Sequence, residues 1–133
     1  MTSIQSKSVR INRTAEELYH FLQDMHNFEQ LLPQNHISDW TCDGQSCSFK
    51  VQGAATIGLA LDGGTPNTLV KMKSTDRAPF PFTLDVHLEQ KDGATEAYQL
   101  FQGDINPFLR MMVEKPLKNL FDHIADRMVA LHG

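Results

Sequence analysis

The most regular pattern in the chain lies between Phe82 and Gln90, where Phe82, Leu84, Val86 and Leu88 alternate with Thr83, Asp85, His87 and Glu89. Successive side chains of a strand point to opposite faces, so this period of two predicts a half-buried strand with one wet side. Stretches rich in β-branched and aromatic residues predict further strands over Ile4–Ile11, Ile37–Cys42, Gln45–Val51, Ala54–Leu61, Asn67–Ser74 and Thr95–Asp104. Turn residues separate them: Asp43-Gly44, Asp62-Gly63-Gly64-Thr65-Pro66 and Lys91-Asp92-Gly93. The intervals are too short for the crossovers that parallel strands need, so neighbouring strands are antiparallel.

Three segments follow the helical period instead. Thr14-Ala15-Glu16-Glu17 is a capping box, in which Thr14 accepts from the amide three residues on and Glu17 reaches back to the cap. Leu18, Phe21, Leu22 and Met25 then share one face of the helix it starts. A second short helix is expected over Asn27–Leu32, stopping before Pro33. The third begins with Asn106 as N-cap and Pro107 in the first turn. Its apolar stripe runs through Leu109, Met112, Val113, Leu117, Leu120, Phe121, Ile124, Met128 and Leu131. Pro116 lies inside it, lacks an amide hydrogen and crowds the Met112 carbonyl, so a kink or break near Lys115 is expected. Six or seven antiparallel strands with one apolar face must bury that face, and this stripe is the only one long enough to cover it. The fold class is therefore α+β, a curved antiparallel sheet around a long C-terminal helix.

Composition narrows the function classes. The 133 residues suit one domain, residues 1–133, and bury enough surface to fold without disulfide or metal. Net charge is −4, which argues against nucleic acid, whose phosphates are met by clustered Lys and Arg, and against a polybasic membrane anchor. No window approaches a membrane span and the N-terminal stretch has no apolar signal region, so a cytoplasmic location is expected. Cys42 and Cys47 fit a reducing compartment as unpaired small hydrophobes. A four-residue loop over Asp43–Ser46 would set them opposite each other, a two-residue Asp43-Gly44 turn diagonally.

No residue constellation names a reaction. There is no Gly-rich phosphate loop, no nucleophile elbow and no His or Cys spacing for zinc, so neither cofactor nor metal is implied. His87 shares a strand face with Asp85 and Glu89, a weak surface metal arrangement set against a plain wet face. His20, His26, His36 and His123 are expected on solvated faces. The run Gly53–Ala60 has few large side chains, which permits sheet curvature or the close approach of another group.

The order β-α-α-β6-α, with TAEELYHFLQDMHNFEQLLP after the first strand and INPFLRMMVEKPLKNLFDHIADRM at the end, resembles the START-like, helix-grip superfamily. That superfamily includes polyketide cyclases and dehydrases and lipid-transfer domains. Asp24–Pro33 and Asn106–Leu109 carry the resemblance most closely, and neither is catalytic. It implies an internal apolar pocket between helix and sheet, and no single chemistry.

On that basis the inward candidates for ligand contact are Phe21, Phe28, Trp40, Phe49, Leu59, Met72, Phe82, Leu84, Val86, Leu100, Met112, Leu120 and Ile124. Tyr98 and Gln102 join them as polar groups that could orient a ligand, if their strand shares the phase of Leu100. Asp85, Glu96 and Asp104 are the acid–base candidates, effective only if desolvated inside the pocket. Three readings stand. One is a binder or carrier of a small, largely apolar molecule, lipid-like or polyketide-like. Another is a cyclase or dehydratase acting on a similar ligand. The third is a ligand-free domain that acts through its surface.

Overall fold

A computed structural model describes residues 1–132. Its elements are β1 (Thr2–Gln5), β2 (Val9–Ile11), α1 (Ala15–Leu22), a 3-10 helix (Met25–Leu31), β3 (Ile37–Cys42), β4 (Ser46–Val51), β5 (Thr56–Thr65), β6 (Leu69–Ser74), β7 (Phe82–Lys91), β8 (Ala94–Gly103) and α2 (Pro107–His132). The strands form one open antiparallel sheet in the order β1-β8-β7-β6-β5-β4-β3, with β2 also on β8. This is the α+β, helix-grip arrangement that the sequence predicts.

The expected first strand is two strands on the same partner. Gln5 pairs with Leu100 and Val9 with Ala97, so Ser6, Lys7 and Ser8 oppose only Tyr98 and Gln99. That extra residue is a bulge. Its hydrogen bonds are kept because the Ser6 amide donates to the Gln99 carbonyl at 2.9 Å and the Gln99 amide to Ser6 Oγ at 2.9 Å. The bulge turns Lys7 towards α2, where its amide donates to Asp122 Oδ1 at 2.8 Å and its ammonium pairs with Asp126.

The capping box forms as predicted, with Glu17 N to Thr14 Oγ1 and Thr14 N to Glu17 Oε1 both at 3.2 Å. It sets Ala15, Leu18 and Leu22 against the core. The second helix is of the 3-10 type and starts earlier than expected, because Asp24 caps it by accepting from the His26 amide at 3.0 Å. Strand β5 also outruns its expected end at Leu61. Gly63 and Gly64 take φ of 81° and 126° inside a bulge, so the pair bends the strand and does not end it. A Cβ on Gly64 would lie 2.3 Å from the Leu69 carbonyl oxygen, which restricts the position to glycine. In the small-residue run, Gly58 marks a close approach. The Thr75–Arg77 loop folds over it, and a Cβ there would meet Thr75 Oγ1 at 2.0 Å.

Two expectations about the core are corrected. First, β8 has the opposite phase: Ala97, Gln99, Phe101 and Gly103 are buried, while Tyr98, Leu100 and Gln102 lie on the outer face. Pairing decides this, since Leu84 faces Phe101, and the outer residues oppose His87, Asp85 and Thr83 of the wet side of β7. Phe101 is fully buried against Phe80, Phe82 and Phe121, with ring centroids 6.4, 5.0 and 5.6 Å away. Second, of the kink or break expected near Lys115 the break does not occur, because α2 runs as one helix through Pro116. Val113 and Leu117 are both buried and hold the segments on either side of the proline, while the Met112 carbonyl that loses its partner belongs to an exposed residue. Asn106 caps the helix, its Oδ1 accepting from the Leu109 amide at 2.8 Å.

The phase of β8 can be tested by paired truncation. Phe101→Ala should cost about 3–5 kcal/mol in urea unfolding, and Leu100→Ala about 1 kcal/mol or less. Comparable losses would reverse the assignment of faces.

Candidate functional site

The inner face of the sheet and the buried face of α2 enclose a small space. Phe49 of β4, Ile57 and Leu59 of β5, Phe82 and Leu84 of β7 and Phe101 of β8 form its floor. Leu117, Leu120, Phe121 and Ile124 of α2 form the roof, and Phe28 of the 3-10 helix closes one end. The volume open to the centre of a water-sized sphere is only about 10 Å³, roughly the room of one water. The wall is wholly apolar, so nothing in it would hold that water.

Of the sequence-predicted candidates, Phe28, Phe49, Leu59, Phe82, Leu84, Leu120 and Ile124 meet around this space. Met72 and Val86 are buried on the same sheet face but do not line it. Phe21 and Trp40 are half-buried, Phe21 edge-on to His132 and Trp40 beside Phe49 with centroids 6.0 Å apart. Tyr98, Leu100 and Gln102 face outward because of the phase of β8, and Tyr98 stacks on His87 at 4.7 Å. Met112 is 55% exposed, since its neighbour Val113 takes the inward position on α2. Ile57, Phe101, Leu117 and Phe121 were not among the expected contacts. The helical stripe already contained Leu117 and Phe121, and the β8 phase hid Phe101.

Polar chemistry sits beside the cavity, not in it. Gln99 is buried, and its Nε2 donates to the Phe121 carbonyl of α2 at 2.9 Å, while its Oε1 has no partner. Among the described residues no ionisable side chain lines the interior. Asp104 is exposed and Asp85 and Glu96 lie on the outer face, so none of the three acid–base candidates reaches it. Among the described residues no three His, Cys, Asp or Glu side chains are placed to hold a metal.

Two clefts lie on the surface, and only the first borders the interior, through Leu120. One, of about 370 Å³, lies where the loop after the 3-10 helix and the end of β4 meet α2. Pro33, His36, Val51, Gln52, Pro116, Asn119, Leu120 and His123 line it. His36 Nδ1 lies 3.2 Å from Gln52 Oε1. His123, expected on a solvated face, is half-buried, and its Nε2 is shielded without a partner. Burial, and then the Arg127 cation, hold its pKa below the usual histidine value. The other cleft, about 780 Å³ and broad, lies at the β3–β4 hairpin beside Lys73, Asp76 and Arg77. Cys42 and Cys47 pair directly across that hairpin, joined by the four-residue loop, and both are free. Burial, followed by the neighbouring Cys42 thiol, pushes the Cys47 thiol up to about 12.

The fold defined by this geometry is START-like. It is similar to a START superfamily protein from Mycobacterium smegmatis, with a TM-score of 0.72, 14% identity, and 98% of this chain and 96% of that one covered. It is equally similar to the protein XoxI from Bacillus cereus, with a TM-score of 0.72, 11% identity, and 99% and 96% covered. Protein MLL2253 from Mesorhizobium loti follows with 0.69, 13%, and 98% and 96%. No family model matches the sequence, and no curated protein matches it. Among the described residues no helix is long and apolar enough to cross a membrane.

The cysteine environments predict unequal reactivity. The raised Cys47 pKa means that its thiolate is scarce at pH 8, and the thiolate is the nucleophile. Iodoacetamide at pH 8 should therefore modify Cys42 first, with Cys47 following only as the protein opens. Peptide mapping that finds both labelled at equal rates would contradict this. Protein unfolded without reductant under oxygen exclusion should show two thiols.

Proposed function

We propose that this protein binds a small, largely apolar molecule between α2 and the inner face of the sheet, as a binder or carrier without chemistry of its own. The observation that carries this reading is the wholly apolar wall, to which sheet, α2 and 3-10 helix all contribute. Burying about 200 Å² of apolar ligand surface would supply roughly 5 kcal/mol, which a few polar contacts at the rim would supplement. With only about 10 Å³ free, the ligand enters by moving α2 outward from the sheet. The first turns of α2 suit that movement, because Phe108 is 76% and Met111 84% exposed and neither packs on the core. The same small volume favours a second reading, a filled domain that acts through this exposed apolar end of α2.

A neutral solvatochromic dye separates the two. On the first reading it binds saturably at one site, and Leu84→Trp and Leu120→Trp, each verified as folded, weaken it at least about tenfold. On the second reading both variants bind as the wild type does, and Phe108→Ser with Met111→Ser abolishes binding instead. Movement of α2 gives a further check. Amides of residues 108–114 should exchange with solvent faster than those of residues 118–128, which lie over the sheet. Equal protection along the helix would rule out its N-terminal half as the moving part.

A further inference from the structure

The cleft beside His123 borders the interior through one side chain. Leu120 lines both, so it is the partition between an apolar space and a polar one. The polar side is built from separate elements: His36 from the loop after the 3-10 helix, Gln52 from the end of β4, Asn119 and His123 from α2. The adjoining cleft shares His36 and His123 and adds Arg127, whose Nε donates to the Gln30 carbonyl at 3.2 Å. Neither lining contains an aspartate or glutamate, although the chain has 16 acidic residues against 12 Lys and Arg. The nearest carboxylate on that part of α2, Asp126, is engaged by Lys7. His123 Nε2 meanwhile lies shielded from solvent with no hydrogen-bond partner among the described residues. A buried polar atom left in this way costs stability unless something supplies the missing bond.

We infer that this cleft is the head-group subsite for an amphipathic carboxylate, whose apolar chain passes Leu120 into the interior while its carboxylate meets His123, Asn119 and Gln52. The inference rests on the reading of the interior as an apolar ligand site and adds the class of ligand. A carboxylate suits the lining because His36, Gln52, Asn119 and His123 offer imidazole and amide donors along it and no carboxylate lies among them. Arg127 adds a favourable charge from one side. An alcohol would use one of these donors and leave the others unanswered, and an amine would offer no acceptor. Burial and the Arg127 cation hold the His123 pKa below the usual histidine value, and an anion bound beside the ring would act in the opposite direction.

The test compares decanoate, decanol and decylamine as displacers of the neutral dye at pH 7.5, and follows the ring resonances of His36 and His123 by NMR. Decanoate should bind about tenfold or more tightly than decanol, with decylamine weakest, and should shift the His123 ring resonances and raise the pH of their titration. His123→Leu and, separately, Asn119→Leu should bring decanoate to within about twofold of decanol. The second variant covers a failure of the first to fold. If dye binds the interior but wild type does not prefer decanoate, the head-group assignment is wrong and the apolar reading stands. If no dye binds yet decanoate still shifts His123, the subsite stands and the interior reading falls. If decanoate leaves both histidines unmoved, the subsite is overturned.

Discussion

One long helix lies over the inner face of a curved sheet, with α1 and the 3-10 helix packed beside it, and the molecule is arranged around holding it there. The clamp is at β8. Gln99 donates to the Phe121 carbonyl, Phe101 packs on the Phe121 ring, and the bulge at Ser6–Ser8 brings Lys7 to Asp122 and Asp126. All of these act on the central and C-terminal parts of α2. Gln99 is a costly residue to bury, because a polar group in the core must find partners. Its position is explained by the bond it makes, which ties strand to helix at a fixed height and orientation. The first turns of α2 lie beyond the clamp, and there the large apolar side chains Phe108, Met111 and Met112 are uncovered.

The consequence for function is a separation of labour between inside and rim. Aromatic and aliphatic groups from four strands, the 3-10 helix and α2 close on one another with almost no free space. Hydrogen-bonding groups are absent from that wall and gather at its border, where Leu120 is common to both regions. On the proposed reading, the border would sense a ligand's polar end and the interior its apolar remainder.

Much of the architecture could be read from local pattern. The β7 alternation, the Thr14–Glu17 capping box and the Asn106 cap have one physical solution each, and the structure adopts it. Strand β8 could not be read in this way. Ala97, Gln99 and Phe101 on one face and Tyr98, Leu100 and Gln102 on the other each present two apolar groups and one amide, so the alternation is degenerate. Only pairing with β7 breaks the tie, and that is a long-range fact. The break that Pro116 allows is avoided for a related reason. Its local cost is real, but packing of Val113 and Leu117 on either side outweighs it. The His36–His123 cleft left no trace in the sequence because its members come from unrelated segments, and no spacing rule connects them.

The two ends of the sheet carry a further consequence. β1 is only four residues long and ends in a bulge, while β3 is interrupted at Asp39, whose φ of 58° breaks the pairing between Ser38 and Thr41. Long, flat edges recruit strands from neighbouring chains, and short or distorted edges resist it. A domain that must loosen its core to work would expose greasy surface at every opening. The irregularities of β1 and β3 blunt both edges, so a loosened core would not at the same time offer a long flat strand to a neighbouring chain.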